Sequence, residues 1–449
     1  MEPERVAALQ RRWDELPAAV RTPNQMLGRR IAGCEGTHGV FPRCDLACSP
    51  CYHSRDANRV PVDGAHTVAE VRAQMALLRE LRGPGQPAQL IGGEVTLLAP
   101  DDHAAALQAM IDAGRKPMSM THGDFEYEYL EALALDPTSG RPRFRHLSFA
   151  AHIDSTMRGR RGAERPADEE ELDPVRRRFC AMFARLRAEH GVTSFLAHNM
   201  TVTPGNLDQV AGVVRRNRDV GFRMFSFQPA AYVGNPARWA DGYRAVDPEE
   251  VWRRVQDGVG ARLHHRAMQY GDPRCNRTAY GGFAGDRYWP LLDEDDPRDA
   301  RALTAFLDAY GGMDFGAPAP LVALRLARGA LARPAVVPAV AGAAARALRR
   351  VGGVAHLIRA RPRPVTFVMH SFMDASVVRP AWEAIEAGAE SDDPQVRAAQ
   401  ERLQACSYAM AHPEDGRLVP ACAQHAVLDP AENRRLVSQL RRGGGASAR

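Results

Sequence analysis

Three cysteines, Cys44, Cys48 and Cys51, lie four and then three positions apart in one short stretch of the chain. This spacing can bring three thiolates around one point on a tight loop, which is one ligand fewer than a closed tetrahedral metal site requires. A cubane iron–sulfur cluster held by three thiolates keeps one iron open for a further ligand. Two alternatives stay open here: a structural zinc that takes His53 as its fourth ligand, and a group of thiols in an ordinary core.

A second segment with ligand-binding character comes about forty residues later, where an apolar run ends in Gly92, Gly93 and Glu94. Two glycines let the backbone approach a ligand closely, and a carboxylate beside them can face a cation. Taken alone, Gly-Gly-Glu is more often an ordinary turn. Its order and distance after the cysteine loop favour a ligand site that both segments share.

Together, the cysteine loop and the Gly-Gly-Glu segment resemble those of the radical S-adenosylmethionine (SAM) superfamily. The resemblance implies a [4Fe-4S] cluster on Cys44, Cys48 and Cys51 whose open iron chelates the amino and carboxylate groups of SAM. It also implies that an electron from this cluster cleaves SAM and releases a 5′-deoxyadenosyl radical. In that family, the backbone of the segment matching Gly92–Gly93 and the carboxylate matching Glu94 bind the SAM ammonium group.

Strand-like and helix-like patterns alternate six times, which is typical of parallel βα units and predicts an α/β fold. Six units match the partial (β/α)6, TIM-like barrel of the radical SAM family. The predicted strands cover 39–41, 89–91, 117–122, 145–153, 194–202 and 223–228. The predicted helices cover about 5–16, 67–82, 102–113, 125–135, 174–189 and 206–219, and a capping box of Thr67 with Glu70 opens the second of them.

The patterns predict three regions along the chain. Residues 1–35 form a helix and a linker, and residues 36–235 form the core barrel. Residues 236–449 form a mostly helical, cysteine-containing C-terminal extension that covers the open side of the barrel.

Polar side chains near the carboxyl ends of the predicted strands are candidates for the pocket, because reactive groups gather there in barrels of parallel strands. Asp154, Asn199 and Gln228 are predicted to bind the cofactor, as such positions bind parts of SAM in the family. For each of them, a polar group that caps a helix or turn is an equally weighted alternative. Cys180 lies among apolar residues of a helix and is predicted to be a core thiol.

Three further cysteines in the second half, Cys275, Cys406 and Cys422, suggest a second metal site. A hairpin-like pattern between Cys406 and Cys422 would bring these two together at its base. We predict an auxiliary iron–sulfur cluster on these three thiols, with zinc or free thiols as alternatives. Cys34 could supply a fourth ligand or be a buried thiol.

A narrower resemblance is carried by short motifs after residue 220, among them Asp272-Pro273-Arg274-Cys275, the segment from Met369 to Asp374, and the hairpin that ends in Cys422. These look like the group that contains the archaeal tetraether lipid synthase and enzymes linked to methylation of a pterin precursor. Members of that group carry auxiliary clusters and make carbon–carbon bonds at unactivated positions. The chain departs from them in lacking a cysteine-rich N-terminal segment. By their place in the motif, His370 and Asp374 are weaker candidates for the substrate side.

A lipid substrate is also suggested by a segment, 315–373, that has no Asp or Glu while nine arginines fall between Arg325 and Arg363. Leu348, Val351, Ala355 and Ile358 would share one helical face there, opposite Arg346, Arg349 and Arg350. Such a segment could rest on an anionic membrane surface, or form a lid whose apolar face packs on the barrel. No aromatic platform accompanies it, so nucleic acid is not expected as a partner.

Composition is consistent with a cytoplasmic protein, with peripheral contact at the inner face of the membrane as an additional expectation. Its 449 residues carry a formal net charge of +5, Lys116 is the only lysine, and residues 1–20 show no secretory signal. Eight cysteines are too sparse for a disulfide scaffold, and an oxygen-sensitive cluster needs reducing surroundings and an electron donor, such as a reductase, ferredoxin or flavodoxin.

The sequence therefore predicts a radical SAM enzyme that functionalises an unactivated carbon, by alkylation or carbon–carbon bond formation, with a lipid as one candidate substrate. One alternative is a radical SAM enzyme that modifies a peptide or another small molecule. An alternative of another class is a non-enzymatic protein that binds an iron–sulfur cluster or zinc.

Overall fold

A single mixed sheet of eleven strands dominates the computed structural model, which describes residues 3–53, 56–233 and 244–443. Two further strands form a small ribbon at the cysteine loop. The strands are β1 (Cys34–Gly36), β2 (Ala47–Cys48), β3 (Pro87–Leu90), β4 (Lys116–Thr121), β5 (His146–His152), β6 (Met157–Arg158), β7 (Thr193–Val202), β8 (Met224–Pro229), β9 (Asn276–Ala284), β10 (Arg287–Pro290), β11 (Arg363–His370), β12 (Tyr408–His412) and β13 (Arg417–Pro420).

Neighbouring strands in the central part of the sheet are parallel, in the order β12, β1, β3, β4, β5, β7, β8 and β11. The edges are antiparallel, with β13 on β12 at one side, and β9 on β11 and then β10 at the other. The sheet curls into a partial barrel that stays open. This confirms the predicted α/β fold class, and it places the carboxyl ends of the parallel strands together at one end of the molecule.

Helices follow most of the strands and cover the outer face of the sheet. They are α1 (Pro3–Glu15), α2 (Gly64–Arg82), α3 (Pro100–Asp112), α4 (Tyr127–Ala134), α5 (Asp173–His190), α6 (Val210–Asn217), α7 (Pro248–Val259), α8 (Pro297–Tyr310), α9 (Ala319–Ala332), α10 (Val336–Val351), α11 (Val354–Ala360), α12 (Ala375–Glu386), α13 (Pro394–Gln404), α14 (Ala421–Ala423) and α15 (Asp429–Gly443). Prolines in the first turn and left-handed glycines after the last turn, such as Gly191 and Gly260, mark several of the ends.

The N-terminus of α2 differs from the predicted capping box. Asp63 caps the helix by accepting a hydrogen bond from the backbone N–H of His66. Thr67 is buried instead, and its hydroxyl donates to the carbonyl oxygens of Val40 and Asp63. The helix therefore begins one turn earlier than the sequence pattern indicated.

The first strand also lies elsewhere than predicted: β1 spans Cys34–Gly36, and residues 39–41 belong to the connection that follows it. Apolar content misled the prediction here, because the buried side chain of β1 is a glutamate. Glu35 forms an ion pair of 2.8 Å with Arg115, and both side chains are buried. Phe41 is fully buried but reaches the core from the connection.

The C-terminal half is rich in helices, as predicted, and it also adds β9 to β13 to the same sheet. Of these strands, the sequence indicated only the β12–β13 hairpin. The packing behind the sheet runs through both halves as well: Phe225 on β8 stacks on Phe367 on β11, with ring centroids 5.8 Å apart. The predicted region boundary at 235/236 lies outside the described residues.

The predicted amphipathic face of the basic segment is wrong. Helix α10 ends at Val351, and Gly352 and Gly353 take positive φ angles before α11 begins, so no continuous face joins the two. Arg346 is not solvated either, since its Nε donates to the buried Asp299 at 2.6 Å. Arg350 pairs with the same carboxylate. No single helix among the described residues could span a membrane, and α9 with α10, bent by 115° at their junction, meets the length and composition criteria only as a pair.

Candidate functional site

The cysteine loop is fixed against the Gly-Gly-Glu bend at the carboxyl end of β3. The backbone N–H of Gly93 donates to the carbonyl oxygen of Phe41 at 2.7 Å, and that of Glu94 donates to Arg43 at 2.9 Å. A Cβ atom at Gly93 would lie 2.0 Å from the Arg43 carbonyl oxygen, and one at Gly92 would lie 2.6 Å from the Phe41 ring. Only glycines allow this close approach, so the bend positions the start of the cysteine loop.

The far side of the loop is held by the segment after β5. Ala47 and Cys48 pair with Met157 and Arg158 in the β2–β6 ribbon, and the Ser49 N–H donates to the carbonyl oxygen of Thr156 at 3.0 Å. The loop carrying all three cysteines is thus tied to the carboxyl ends of both β3 and β5, as the sequence predicted for a shared site.

The three thiols are half-buried, and Cys44 shows their electrostatic surroundings. Burial raises the pKa of Cys44 to about 12, and the charges of Glu94, Asp45 and Cys51 act in the same direction. A thiolate at this position therefore needs a cationic partner, which a metal cluster would supply.

The spacing of these ligands suits a multi-iron cluster better than one zinc ion. Sulfur ligands around a tetrahedral zinc would lie about 3.8 Å apart, given Zn–S distances of about 2.3 Å. Among the described residues, the Cys44 thiol lies within 4.8 Å of ligand atoms of Asp45 and His122, but it forms no such compact group with Cys48, Cys51 and His53. His53 instead contacts the Gly92 carbonyl oxygen.

Glu94 is fully buried and binds the protein through both carboxylate oxygens. One oxygen accepts from the backbone N–H and the hydroxyl of Thr96 and from the Thr121 hydroxyl, at 3.0, 2.6 and 2.7 Å. The other accepts from the His122 N–H at 2.7 Å. The carboxylate therefore joins β3 to β4, and the predicted contact of Glu94 with the SAM ammonium stays a prediction.

Of the other predicted pocket residues, Asp154 is the most constrained. It is buried, and its Oδ2 accepts from the Thr201 N–H at 2.8 Å and lies 3.0 Å from His152 Nε2. Burial alone would raise its pKa, but the hydrogen bonds from His152, Thr156 and Thr201 outweigh this and lower it. These contacts are those of a polar group that caps a turn, which was the alternative prediction for Asp154. Its role in binding a cofactor stays a prediction.

Asn199 and Gln228 lie on neighbouring strands near this carboxylate. Asn199 on β7 is paired in register with His152 and is buried. Gln228 on β8 is half-exposed and donates to the hydroxyl of Ser226 at 3.0 Å. Their positions at the carboxyl end of the sheet are those expected, and their contacts with a cofactor stay predictions.

Arg160, which the sequence analysis did not single out, is the clearest additional candidate. It is fully buried, its Nη2 donates to the His152 carbonyl oxygen at 3.2 Å, and its Nε and Nη1 have no hydrogen-bond partner. Burial lowers its pKa, and the charges of Asp124, Asp154, Cys48 and Glu94 oppose this. Buried N–H groups without partners fit an anionic group of a ligand. The surrounding Gly-Arg-Arg-Gly sequence resembles a solvated loop, so the burial of Arg160 becomes evident only in the folded structure.

A small polar cavity adjoins the cysteine loop and was also not predicted. It is lined by residues after β1, after Cys51 and at the Gly-Gly-Glu bend, and by the C-terminal helical segment. His425 lines it, its Nδ1 lies 2.8 Å from Asp429 Oδ2, and its ring packs 4.4 Å from that of Tyr52. Residues 424–428 form a π-helical turn, a feature that often marks functional sites.

The two weaker candidates lie after β11. Burial lowers the pKa of His370 to about 4, and its Nδ1 contacts the Asn276 side-chain oxygen. Asp374 accepts a hydrogen bond from the Tyr232 N–H at 2.6 Å. Both make contacts that a structural role would explain, and neither contact tests a role in substrate binding.

The cysteines predicted for a second site lie within reach of one another's charge. Cys275 is far in sequence from Cys406 and Cys422, and the charge of Cys406 raises the pKa of both other thiols. The predicted hairpin forms as β12 and β13, with Cys406 and Cys422 just outside its two ends. The geometry brings together the thiols of the predicted second site.

No protein-family model matches the chain, and no curated protein is similar to it. Among solved structures, SuiB of Streptococcus suis matches with 14% identity and a TM-score of 0.35, over 57% of this chain and 49% of SuiB. A histidine-tagged form of anSMEcpe with bound AdoMet matches with 10% identity and a TM-score of 0.30, over 51% of this chain and 59% of that one. Native anSMEcpe with bound AdoMet matches with 11% identity and a TM-score of 0.31, over 49% of this chain and 57% of that one. The chain thus spans roughly half of each of these proteins, and likenesses this distant do not identify a function.

Proposed function

We propose that this chain is a radical SAM enzyme, with a [4Fe-4S] cluster on Cys44, Cys48 and Cys51. The observation that carries the proposal is the docking of the three-cysteine loop on the Gly92–Gly93 backbone, at the carboxyl ends of the parallel strands. Two motifs that lie about forty residues apart in the sequence therefore form one site. The three thiols are half-buried, and three thiolate ligands on a cubane cluster would keep one iron open.

The cluster would supply the electron for reductive cleavage of SAM. The chain's own residues would bind SAM and exclude water around it. Arg160 has buried N–H groups that would bind a carboxylate, and the Asn199 and Gln228 amides would contact polar groups of the nucleoside. The Gly92–Gly93 backbone would lie against the amino group, with Glu94 beneath it.

For the reaction, we propose hydrogen abstraction from an unactivated carbon, followed by alkylation or carbon–carbon bond formation. This rests on the motifs of the tetraether lipid synthase group and on the second group of cysteines, Cys275, Cys406 and Cys422, as an auxiliary iron–sulfur site. The electron donor would be a reductase, ferredoxin or flavodoxin of the cytoplasm.

Anaerobic reconstitution tests the proposal. We expect about eight irons per chain and formation of 5′-deoxyadenosine from SAM under dithionite. Replacing Cys44, Cys48 and Cys51 together by Ala should halve the iron and abolish cleavage. Cys180→Ala is the matched control, since Cys180 is a buried thiol on α5 outside both groups, and it should retain both properties. Tightly bound zinc without cleavage would instead support the non-enzymatic alternative.

A lipid substrate is supported by helix α9, which carries an exposed apolar face. None of its residues is buried, and Leu324 and Leu331, seven positions apart on one face, are 48% and 81% exposed. The opposite side packs on α8, where a Cβ at Gly329 would lie 2.2 Å from the Tyr310 ring. Arg328 lies between the two leucines, and no acidic residue occurs from 315 to 373. We propose that this face contacts an anionic membrane at the cytoplasmic side.

Flotation with lipid vesicles tests the membrane contact. The wild type should float with phosphatidylcholine–phosphatidylglycerol vesicles and less with phosphatidylcholine alone. Leu324→Ser combined with Leu331→Ser should lower binding about tenfold or more, because two leucine side chains no longer enter the bilayer. Ile111→Ser is the control, since Ile111 on α3 is 40% exposed on another helix. Equal flotation of all three proteins would exclude α9 as the contact.

A further inference from the structure

Cys34 lies beside the second group of cysteines, although it is 241 positions before the nearest of them in sequence. It is the first residue of β1 and pairs in register with Tyr408 of β12. Its backbone N–H donates to the carbonyl oxygen of Ser407 at 2.7 Å. The β1–β12 pairing therefore places Cys34 next to Cys406, at the start of both strands.

The loop that carries Cys275 is fastened to the same place. Gly271 approaches the Ala405 carbonyl so closely that a Cβ there would lie 2.2 Å from its oxygen. Asn276, which follows Cys275, donates to the Ser407 hydroxyl at 2.8 Å. These contacts bring the start of β9 close to the start of β12.

Cys422 reaches this point from the end of the hairpin. The backbone N–H of Ala421 faces the Cys406 sulfur, and the N–H of Met373 faces the Cys422 sulfur. Burial, together with the charge of Cys406, raises the pKa of both Cys34 and Cys422 to about 12. This agrees with the backbone contacts above, which bring the other three cysteines toward Cys406.

Two arginines supply positive charge around these thiols. Arg402 Nε donates to the Cys275 sulfur at 3.1 Å, and Arg12 Nη2 donates to the Cys406 carbonyl oxygen at 2.6 Å. A cubane cluster held by four thiolates is a net anion, so two neighbouring cations would stabilise it. Among the described residues, no three of the four thiols lie within 4.8 Å of one another, a spacing too wide for one tetrahedral zinc.

We propose that Cys34, Cys275, Cys406 and Cys422 together bind one auxiliary iron–sulfur cluster in which every iron already has a protein ligand. The inference rests on the proposed function and narrows it. A cluster with four thiolate ligands has no open iron, so it cannot bind the substrate directly. The substrate must then be held at a place other than this cluster.

The test uses the full chain in which Cys44, Cys48 and Cys51 are replaced by Ala, so that only the second site can hold iron. We expect about four irons per chain and, after reduction, the electron paramagnetic resonance (EPR) signal of a [4Fe-4S] cluster that added cyanide leaves unchanged. Adding Cys34→Ala should lower the iron to about three per chain or fewer, or yield a cluster whose EPR signal shifts with cyanide. Adding Cys180→Ala instead should change neither property.

Circular dichroism and thermal unfolding establish that each variant is folded, and Cys34→Ser takes the place of Cys34→Ala if the latter does not fold. Identical iron content and EPR spectra for the Cys34 and Cys180 variants would overturn the proposal, as would zinc in place of iron. These outcomes are separate from the proposed function, because SAM cleavage is measured on the wild type and depends on Cys44, Cys48 and Cys51.

Discussion

Single buried side chains hold the candidate site together, and Glu94 shows how. Its carboxylate accepts four hydrogen bonds from Thr96, Thr121 and His122 while fully buried. Four donors satisfy a buried carboxylate well, so the bend can keep its charge in the interior. This structural role does not depend on a ligand, and the contact of Glu94 with the SAM ammonium group stays a prediction.

Replacing Glu94 by Gln should destabilise the protein by about 2–3 kcal/mol, because the new NH2 group faces N–H and O–H donors and leaves them unsatisfied. Denaturant unfolding under anaerobic conditions measures this. Glu390→Gln is the control, since the Glu390 side chain is 75% exposed, and it should change stability by less than about 0.5 kcal/mol. An equally small effect of Glu94→Gln would contradict the hydrogen-bond network described above.

Arg160 leads to a second prediction about a single side chain. Its Nε and Nη1 are buried and have no hydrogen-bond partner among the described residues. Arg160→Met keeps the length of the side chain and removes the charge. We expect at least a tenfold loss of SAM affinity, measured by calorimetry on the reconstituted protein, with unfolding stability unchanged or higher. Arg158→Met, two residues away on the exposed side of β6, is the control and should bind SAM normally. Unchanged affinity in Arg160→Met would remove Arg160 from the site.

At the scale of elements, the closest packing in the site is between the Gly-Gly-Glu bend and the cysteine loop. Gly93→Ala should push the loop away, because its Cβ would lie 2.0 Å from a backbone oxygen that has no room to move. We expect most of the iron at Cys44, Cys48 and Cys51 to be lost, which iron analysis of the reconstituted protein would measure. Gly205→Ala is the control, since a Cβ there meets only the Thr203 hydroxyl at 3.6 Å. Full iron content in Gly93→Ala would show that the loop is not held by this bend.

The C-terminal helix α15 is joined to the connection after β1 by a charged hydrogen bond. His38 Nδ1 lies 2.8 Å from Glu432 Oε1, and its Nε2 lies 2.8 Å from the Ala411 carbonyl oxygen, so the protonated ring can donate at both nitrogens. Burial acts to lower the pKa of His38, but the hydrogen bond and charge of Glu432 outweigh it and raise the pKa. Asp429 adds to this effect, and two further titratable groups lie near the ring: His412, stacked on it at 4.0 Å, and Glu414.

Because the pKa is higher in the folded state, protonated His38 stabilises the fold. This contribution is complete below the unfolded pKa of about 6.5 and is lost as the pH rises through the folded pKa. The wild type should therefore lose stability between pH 6 and pH 9 in denaturant unfolding. Glu432→Gln should be less stable at pH 6 by about 1.5–3 kcal/mol and should show a smaller loss with rising pH. The same slope in both proteins would rule out this pair as its source.

The elements that the sequence predicted correctly are those with local signals. Strands β3, β4, β5, β7 and β8 were recognised because apolar runs alternate with helical patterns, and the β12–β13 hairpin because a Pro/Asp/Gly turn separates two short strands. Strand β1 was misplaced because its buried glutamate is ion-paired with Arg115, 80 positions away. The sequence also did not indicate that Arg346 is partly buried, because its partner Asp299 is likewise distant in sequence. Charges that find distant partners look solvated in a sequence.

For the whole molecule, two tyrosines lie within reach of the charges of the two cysteine groups. Burial raises the pKa of Tyr52, and the charges of Cys51, Cys48 and Cys44 act on it in the same direction. Burial likewise raises the pKa of Tyr408, with further contributions from Cys34, Tyr52 and Cys406. Tyr52 is therefore near the first group, and Tyr408 is near both Tyr52 and the second group. This arrangement depends on β1 pairing with β12, which joins the beginning of the chain to its end.

The β1–β12 pairing leads to a prediction about the core barrel that the sequence assigned to residues 36–235. Strands from the second half of the chain continue the same sheet on both sides of this region. Strand β8 is covered by β11 and β1 by β12, both from the second half. A chain ending at Val233 would expose both of these edges and uncover Phe225, which is fully buried in the whole protein. We expect residues 1–233 alone to aggregate or to lack cooperative thermal unfolding. Co-expression with residues 244–443 as a second chain should restore solubility, a cooperative transition and iron at Cys44, Cys48 and Cys51. Cooperative unfolding and iron binding by residues 1–233 alone would instead show that the first half is an independent domain, as the sequence patterns indicated.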